Sequence, residues 1–366
     1  MPTIYDLPTP ALVLDLDRLE RNLRNMAARA DELGVRLRPH VKSHKCVEIA
    51  LAQKALGAAG ITVSCLEEAA VFAQHGFTDI TWAFPVILSR LDELAELARS
   101  ADLGVVVDSE EALEAISGLG VPLRVWLKID CGYHRAGLDP ESPDVLTMAR
   151  KIVEAERLEF AGLLSHSGNT YSARSEDHVL QIAEDEGRTM SGLKERLAAE
   201  NIQAADVSVG STPAATRATT LSDATEMRPG NYALFDYTQA CLGSCQLSDC
   251  AVTVMATVVS SRADLDQSVL DAGALALSLD AGPHHLADRT YGRVFDDYAA
   301  GSLSPRFRLT SLSQEHGHMS GALTVGDRVR ILPNHVCTAV ACFDTLHVAR
   351  GEDVVDQWKI WRSRSS

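Results

Sequence analysis

The sequence lacks any uninterrupted apolar stretch close to the roughly 18 residues that a membrane-spanning helix requires. Its first residues, Met-Pro-Thr-Ile-Tyr-Asp, also lack the basic start and the apolar run of a secretory signal. Basic residues are outnumbered, with 34 Lys and Arg against 50 Asp and Glu and a net charge of −16. Phosphate backbones and anionic lipids repel such a surface. We therefore expect a cytoplasmic protein that binds neither membrane nor nucleic acid.

Cysteine patterns that would indicate a disulfide framework or a zinc finger are also missing. The eight cysteines are scattered along 366 residues, and the spacing of Cys241, Cys245 and Cys250 matches no Cys-x-x-Cys motif. We expect reduced thiols, with these three as small buried residues. Aromatic residues make up only 5% of the chain, whereas 46% is hydrophobic, which is typical of an ordinary α/β protein.

The chain alternates between short apolar strands and segments with helical spacing. The predicted strands are 36–42, 61–64, 79–84, 103–108, 123–130, 160–166, 206–210 and 224–229, and the predicted helices include 66–75, 88–99, 109–117, 144–156 and 176–199. This alternation favours right-handed βαβ units and a parallel sheet. Eight such units close naturally into a (β/α)8 TIM barrel. A doubly wound open sheet is the alternative, but no Gly-x-Gly-x-x-Gly turn follows the first strand.

After Tyr237 the pattern changes to strands separated by turns. Residues 251–261, 268–280 and 324–332 read as strand material, and 284–308 reads as a polar loop region. We therefore expect an α/β fold with the barrel over 10–240 and a C-terminal mostly β domain over 241–366 together with 1–9. The strand-like segment 11–16, ahead of the barrel, could also join that second domain in space.

A basic segment, Arg-Pro-His-Val-Lys-Ser-His-Lys at 38–45, places Lys42 at the carboxyl end of the first barrel strand. Barrel enzymes hold their catalytic groups on that face. A lysine there can form a Schiff base with a carbonyl cofactor, provided that burial and neighbouring positive charge lower its pKa. His40, His44 and Lys45 could supply that charge. A solvated basic turn is the alternative.

Polar loops follow later strands on the same face. Residues 130–137 contain two glycines and Arg135, which can donate to an oxygen anion. Residues 165–171 are dense in hydrogen-bonding groups. Either loop alone could be an ordinary turn, but both follow strands of the same orientation.

Small residues follow the last two barrel strands, where barrels usually bind phosphate. Gly-Ser-Thr-Pro at 210–213 follows the seventh strand, and Arg-Pro-Gly-Asn-Tyr at 228–232 follows the eighth. Backbone N–H groups and hydroxyls can converge on a phosphate there, and a helix beginning near Pro213 would add its positive end.

In the β domain, His335 and Cys337 are spaced i and i+2, which puts both side chains on one side of an extended strand. A thiolate with an imidazole favours zinc over magnesium or calcium, and two protein ligands leave positions for water or substrate. The alternative is a buried cysteine beside a core histidine. Residues 315–318, Glu-His-Gly-His, could be further ligands or outer contacts, or a polar hairpin loop.

Together these motifs resemble the fold-type III pyridoxal 5′-phosphate enzymes of the D-serine dehydratase and D-threonine aldolase family. The resemblance spans nearly the whole chain, and several independent motifs occur in the family's order. These motifs are 38–45, 130–137, 210–213, 228–232, 315–317 and 333–337. The family implies an alanine-racemase-like barrel joined to a β domain, usually in a homodimer with active sites near the interface.

The resemblance also implies roles for individual residues. Lys42 holds the cofactor covalently, Arg135 contacts its phenolic oxygen, and the turns at 210–213 and 230–232 bind its phosphate. The implied cofactor-binding residues are Lys42, Arg135, His166, Tyr171, Gly210, Ser211, Thr212, Gly230, Asn231 and Tyr232. His166 and Tyr171 lie beside the ring or the substrate. The implied metal ligands are His335 and Cys337, with zinc as the first choice and manganese or magnesium next.

Family members with His-x-Cys at the metal commonly dehydrate their substrates, whereas those with His-x-Asp commonly cleave aldols, so Cys337 favours dehydration. The resemblance implies that Lys42 removes the Cα proton of a D-3-hydroxy amino acid while the metal binds the β-hydroxyl, giving a 2-oxo acid and ammonia. In the aldolase alternative, a base such as His166 deprotonates that hydroxyl, and glycine and an aldehyde result. An amino-acid racemase and a non-catalytic pyridoxal-phosphate-binding protein are the remaining alternatives.

Overall fold

The computed structural model describes residues 2–221 and 223–362. The strands in this part of the chain are β1 Ala11–Asp15, β2 Arg36–Leu37, β3 Ile61–Val63, β4 Asp79–Pro85, β5 Asp102–Val107, β6 Leu123–Lys128, β7 Leu158–Leu164, β8 Asp206–Val209, β9 Glu226–Met227, β10 Val252–Arg262, β11 Gln267–Leu270, β12 Arg293–Asp297, β13 Ser302–Leu312, β14 Gly317–Ser320, β15 Arg328–Leu332, β16 Thr345–Arg350 and β17 Asp353–Lys359. The α-helices are α1 Leu16–Leu33, α2 Val47–Ala55, α3 Leu66–Gln74, α4 Leu91–Leu97, α5 Glu110–Ser117, α6 Asp144–Glu154, α7 Glu176–Ala199, α8 Thr212–Arg217, α9 Tyr237–Cys241, α10 Ala274–Leu277 and α11 Val336–Val340.

These elements form two compact units. The barrel unit comprises Ala27–Lys42 and Ala50–Gly230, and the β unit comprises 2–26, Ser43–Ile49 and Asn231–Arg362.

The barrel unit contains one sheet of eight parallel strands in the order β2-β9-β8-β7-β6-β5-β4-β3. A parallel bridge between His40 and Thr62 joins the segment after β2 to β3, so the order of strands closes on itself. Apolar runs such as the valines at 105–107 are buried, as expected for parallel strands that are covered on both faces. All eight predicted strands are present with shifted ends, and the predicted TIM-type barrel is confirmed.

Two of the helices between the strands, α5 and α7, begin at serine caps. Ser109 Oγ accepts the Ala112 N–H at 3.3 Å before α5, and Ser175 Oγ accepts the His178 N–H at 3.1 Å before α7. Each cap satisfies an N–H group that has no partner within the helix. The predicted helix over 176–199 is confirmed with both ends correct.

The β unit contains a mostly antiparallel sheet in the order β11-β14-β13-β12-β15-β10-β1-β16-β17, with β10 also paired to β11. β1 lies between β10, to which it is antiparallel, and β16, to which it is parallel. The segment near the N-terminus therefore joins this sheet, as its sequence allowed. A buried cluster that includes Ile4, Val13 and Met255 packs beneath it.

Two expectations about the β unit are wrong. Residues 284–308, expected as a loop region, contain β12 and the first part of β13. Exposed side chains such as Arg306 obscure the alternation there, although Leu309 farther along β13 is fully buried. The strand expected over 268–280 ends at Leu270, and Gly273 begins α10. A Cβ at Gly273 would lie 2.5 Å from the Gln314 carbonyl oxygen, so the close approach requires glycine.

All eight cysteines are free thiols, as predicted, and Cys245 and Cys250 are buried whereas Cys241 is half-buried. Over the described residues, no helix is both long enough and apolar enough to traverse a bilayer.

A buried ion pair stabilises the barrel unit. Arg38 Nε donates to Glu226 Oε2 at 2.6 Å, with the arginine side chain 3% exposed and the carboxylate wholly buried. Without Glu226, Asp79 still pairs with the two terminal nitrogens of Arg38, but the buried Arg38 Nε–H and the Ser208 hydroxyl lose their acceptor. We expect Glu226→Ala to lower the free energy of unfolding by about 2–5 kcal/mol, measured by urea denaturation. Arg150→Ala removes an exposed pair with Glu200 and should cost less than about 1 kcal/mol; similar losses in both variants would contradict this account.

Candidate active site

Lys42 lies just beyond β2, the first strand of the barrel. It is the middle residue of a 3-10 turn, Val41–Ser43, and is half-buried. Its N–H donates to His40 Nδ1 at 3.5 Å. Gly230, in the segment after β9, must be glycine, because a Cβ there would lie 2.8 Å from the His40 carbonyl oxygen. Gly230 thus allows the segments after β9 and β2 to approach each other.

His166 follows β7 and lies beside the turn after β8. Its Nδ1 is 3.1 Å from the Gly210 carbonyl oxygen, so Nδ1 carries the hydrogen and Nε2 carries the lone pair. Burial lowers the pKa of the imidazole well below its usual value, and the charges of Lys42, Lys128 and Arg135 lower it further. The ring is therefore neutral, and it is a weak proton acceptor.

Arg135 lies in the loop after β6. The carboxylate of Asp130 organises this loop by accepting three of its backbone N–H groups at 2.9–3.0 Å. The Arg135 guanidinium lies over the Tyr133 ring, 4.9 Å from its centroid, and that ring packs nearly at a right angle to His166 with the centroids 5.9 Å apart. The structure therefore places Arg135 and His166 against the same aromatic ring. Tyr171 lies in a 3-10 turn after β7.

Gly210, Ser211 and Thr212 lie together between β8 and α8. Ser211 Oγ lies 2.9 Å from Thr170 Oγ1 and accepts from Ser167 Oγ at 3.3 Å. Gly210 has a φ of +103°, and among the described residues, its two chain neighbours aside, no atom lies within 4 Å of the position that its Cβ would occupy. The Thr212 hydroxyl is buried without a hydrogen-bond partner among the described residues. An open space beside an unsatisfied buried hydroxyl suits a bound acceptor such as a phosphate.

Three buried charged residues of the barrel unit were not predicted as site residues. Lys128 ends β6, and burial, with the charge of Arg228, lowers its pKa to about 8. Glu186 on α7 accepts the Ser165 hydroxyl at 2.6 Å. Arg228 donates to Ser208 Oγ and to the Ser165 carbonyl oxygen, and burial lowers its pKa to about 10. The sequence did contain one signal for these residues. Glu186 lies on the apolar face of a helix, where a charged residue requires a buried partner.

His335 and Cys337 lie at the start of α11 in the β unit, so the extended strand predicted for them is wrong. β15 ends at Leu332, His335 is the N-cap residue, and Cys337 lies in the first helical turn. Burial lowers the pKa of the His335 imidazole, but Cys337 and Asp280 outweigh this effect and hold that pKa well above its usual value. The imidazole and the thiol are therefore neighbours at the start of a helix, not on the extended strand that was expected.

Asp236, another residue not predicted, holds the backbone between these two side chains. Its fully buried carboxylate accepts the Val336 N–H at 2.9 Å and the Asn231 amide at 2.6 Å, and burial raises its pKa. Asn231 Nδ2 also lies 3.9 Å from Cys337 Sγ. The Asn231 side chain thus faces the thiol, and Tyr232 is buried in the same unit. The phosphate-binding role of both residues stays a prediction.

Asp280, far from His335 in sequence, completes this cluster. Its Oδ2 lies 2.9 Å from His335 Nδ1 and accepts the Thr338 hydroxyl at 2.7 Å. Because Nδ1 donates to the carboxylate, Nε2 is the ring nitrogen that can exchange its proton for a metal. No local sequence signal connects the two residues.

The donor set of this cluster fits a metal with an incomplete protein shell. Within 2–221 and 223–362, no group of three or more His, Cys, Asp or Glu side chains is arranged to hold a metal ion. An imidazole and a thiol suit zinc, and two ligands leave positions for water or substrate. Glu315 and His316 lie in the turn between β13 and β14, with the Ser313 N–H donating to the His316 carbonyl oxygen at 2.9 Å, and Gly317 and His318 begin β14. The segment is thus part of a hairpin, and its role as further ligands or outer contacts stays a prediction.

Two family models match the chain in succession. Residues 14–238 match the alanine racemase N-terminal domain, and residues 251–349 match a putative serine dehydratase domain.

Curated relatives match over nearly the full length. The chain is 37% identical to the D-threo-3-hydroxyaspartate dehydratase of Delftia sp. (strain HT23), covering 98% of both chains. It is 34% identical to a D-serine dehydratase of Dictyostelium discoideum, covering 96% of both, and 31% identical to a D-threonine aldolase of Arthrobacter sp, covering 96% of this chain and 92% of the relative.

A solved structure of a D-threo-3-hydroxyaspartate dehydratase, a cysteine-to-alanine mutant in the metal-free form, matches with a TM-score of 0.93. It is 37% identical to this chain, and the match covers 98% of this chain and 99% of that one.

Proposed function

Since the chain belongs to the family of pyridoxal-phosphate lyases that join an alanine racemase N-terminal domain to a serine dehydratase domain, we propose that it dehydrates a D-3-hydroxy amino acid. The reaction breaks the Cα–H and Cβ–O bonds and releases water. Hydrolysis of the resulting enamine consumes a water and gives a 2-oxo acid and ammonia.

The observation that carries this choice is the thiol of Cys337 beside the imidazole of His335, because the resemblance associates that pair with dehydration. The dehydratases among the relatives, at 37% and 34% identity, support it.

The barrel unit supplies the residues for pyridoxal phosphate. Lys42 would hold the cofactor covalently, and Gly210, Ser211 and Thr212 would hold its phosphate, with the unsatisfied Thr212 hydroxyl as a donor. When bound, the cofactor supplies an electron sink that makes the loss of the Cα proton feasible. The amine of Lys42 would accept that proton.

The β unit supplies the residues for the metal. His335 would bind it through Nε2 and Cys337 through its thiolate. When bound, the metal supplies a Lewis acid that turns the β-hydroxyl into a feasible leaving group. Asp236 keeps the backbone of the two ligands in place through its bond to the Val336 N–H.

We further infer that the metal is zinc, with manganese or magnesium next, and that the enzyme is a cytoplasmic homodimer. The donor chemistry of the His335–Cys337 pair supports zinc, and the resemblance supports the dimer.

The product assay separates dehydration from aldol cleavage. Purified protein is incubated with pyridoxal phosphate, zinc and either D-serine, D-threonine or D-threo-3-hydroxyaspartate. We expect a 2-oxo acid and ammonia in equal amounts from at least one of these substrates, measured by reduction of the keto acid and by ammonia release. Glycine and an aldehyde without keto acid would establish the aldolase alternative instead. Inverted amino acid with neither product, detected by chiral chromatography, would indicate a racemase.

A further inference from the structure

We propose that Asp280 is the positioning residue of the metal pair, which fixes the tautomer and the direction of the His335 imidazole. This role presupposes the metal site proposed above and adds a residue to it. The Asp280 carboxylate faces three side-chain donors. His335 Nδ1 lies at 2.9 Å, the Thr338 hydroxyl at 2.7 Å and the Ser278 hydroxyl at 3.3 Å.

Polar contacts restrain the direction of this ring. The His335 side chain is 42% exposed and that of Asp280 is 43% exposed, so packing contacts cover only part of each side chain. The hydrogen bond to the Asp280 carboxylate restrains the ring on its Nδ1 side. Because it engages Nδ1, it directs Nε2 away from Asp280, and it makes the imidazole a more basic metal ligand once a metal has displaced the Nε2 proton.

The loop that carries Asp280 is itself fixed. Asn334, fully buried and adjacent to His335, donates from Nδ2 to the Asp280 carbonyl oxygen at 2.8 Å and to the Thr290 carbonyl oxygen at 2.5 Å. Gly282, with a φ of +71°, allows this approach, because a Cβ there would lie 3.0 Å from Asn334 Cγ. Asn334 thus fixes the backbone on both sides of the contact, since it precedes His335 in the chain and binds the carbonyl group of Asp280.

Asp236 differs from Asp280 in what it contacts. Its wholly buried carboxylate accepts the backbone N–H groups of Val336 and Gln239, each at 2.9 Å. It therefore stabilises the fold around the ligands, whereas Asp280 contacts the ligand ring. Removal of the Asp236 carboxylate should therefore lower the stability of the fold, whereas removal of the Asp280 carboxylate should weaken metal binding.

The test measures zinc affinity by competition with a chromogenic chelator in the full-length holoenzyme, for wild type, Asp280→Ala and Asp280→Asn. We expect Asp280→Ala to weaken zinc binding by about 10- to 100-fold. Asp280→Asn keeps a neutral acceptor for the Nδ1 hydrogen and should lose less. Asp288→Asn is the matched control, since that carboxylate lies in the same loop but is 81% exposed and pairs with Arg308. It should bind zinc like wild type.

Cobalt(II) substitution supplies a readout that a merely structural role would not change. We expect the visible and thiolate charge-transfer bands of the Asp280→Ala protein to shift relative to wild type, while the absorbance of bound pyridoxal phosphate stays the same. Unchanged zinc affinity and cobalt bands in both Asp280 variants would overturn the proposal, and so would a lower melting temperature with unchanged affinity. A wild-type protein that binds no zinc or cobalt would instead remove the metal site itself, and the role of Asp280 with it.

Discussion

Replacement of Lys42 by alanine is expected to abolish covalent attachment of pyridoxal phosphate and to lower lyase turnover by about 10²- to 10⁴-fold or more. That range is what loss of a positioned proton acceptor alone costs, and loss of covalent attachment of the cofactor adds to it. Lys42 lies beyond the end of β2, on the face where barrel enzymes collect catalytic groups. The measurements are the visible absorbance of the cofactor and the initial rate of keto-acid formation.

Lys54→Ala is the matched control, because Lys54 is an exposed lysine of the barrel unit whose amine donates to the Gly76 carbonyl oxygen at 3.3 Å. It should keep both the absorbance and the rate. A Lys42→Ala protein that still shows the visible band and wild-type turnover would remove Lys42 from the mechanism.

Replacement of Cys337 by alanine is expected to release the metal and to lower turnover by roughly 10²- to 10³-fold, equivalent to about 3–4 kcal/mol of lost Lewis-acid stabilisation. The cofactor's absorbance should persist, since the residues proposed to hold pyridoxal phosphate in the barrel unit are unchanged. Metal content by elemental analysis and the rate of keto-acid formation are the two readouts.

Cys342→Ala removes a second half-buried thiol close by in sequence, one that donates to the Thr338 carbonyl oxygen at 3.4 Å. It should retain the metal. If Cys337→Ala bound zinc as well as this control, the metal would have to lie elsewhere. If zinc bound to the protein but did not change the rate, the metal would take no part in the reaction.

Much of the barrel could be predicted because parallel strands buried on both faces read as short apolar runs. The positions of Lys42 and of the Gly-Ser-Thr turn at 210–212 then followed from the rule that functional groups collect at the carboxyl ends of such strands. The strands of the β unit were harder to predict. Its strands β12 and β13 carry exposed residues such as Arg306 on one face, and this composition resembles that of a loop.

The local structure around the metal pair could not be predicted from spacing. Two side chains at i and i+2 fall on one side of a strand, but the backbone at His335 is the start of a helix. A distant carboxylate, Asp236, stabilises that start, and another, Asp280, contacts the imidazole. Both interactions join segments that are far apart in sequence, so no local pattern reports them.

Reduction of the purified holoenzyme with borohydride, followed by peptide mass spectrometry, tests the central claim most directly. Reduction makes the bond between pyridoxal phosphate and its lysine permanent, so the modified peptide identifies the amine that held the cofactor. The account predicts that the label lies on Lys42. A label on Lys128 or another lysine, or no labelled peptide from protein that contains the cofactor, would contradict it.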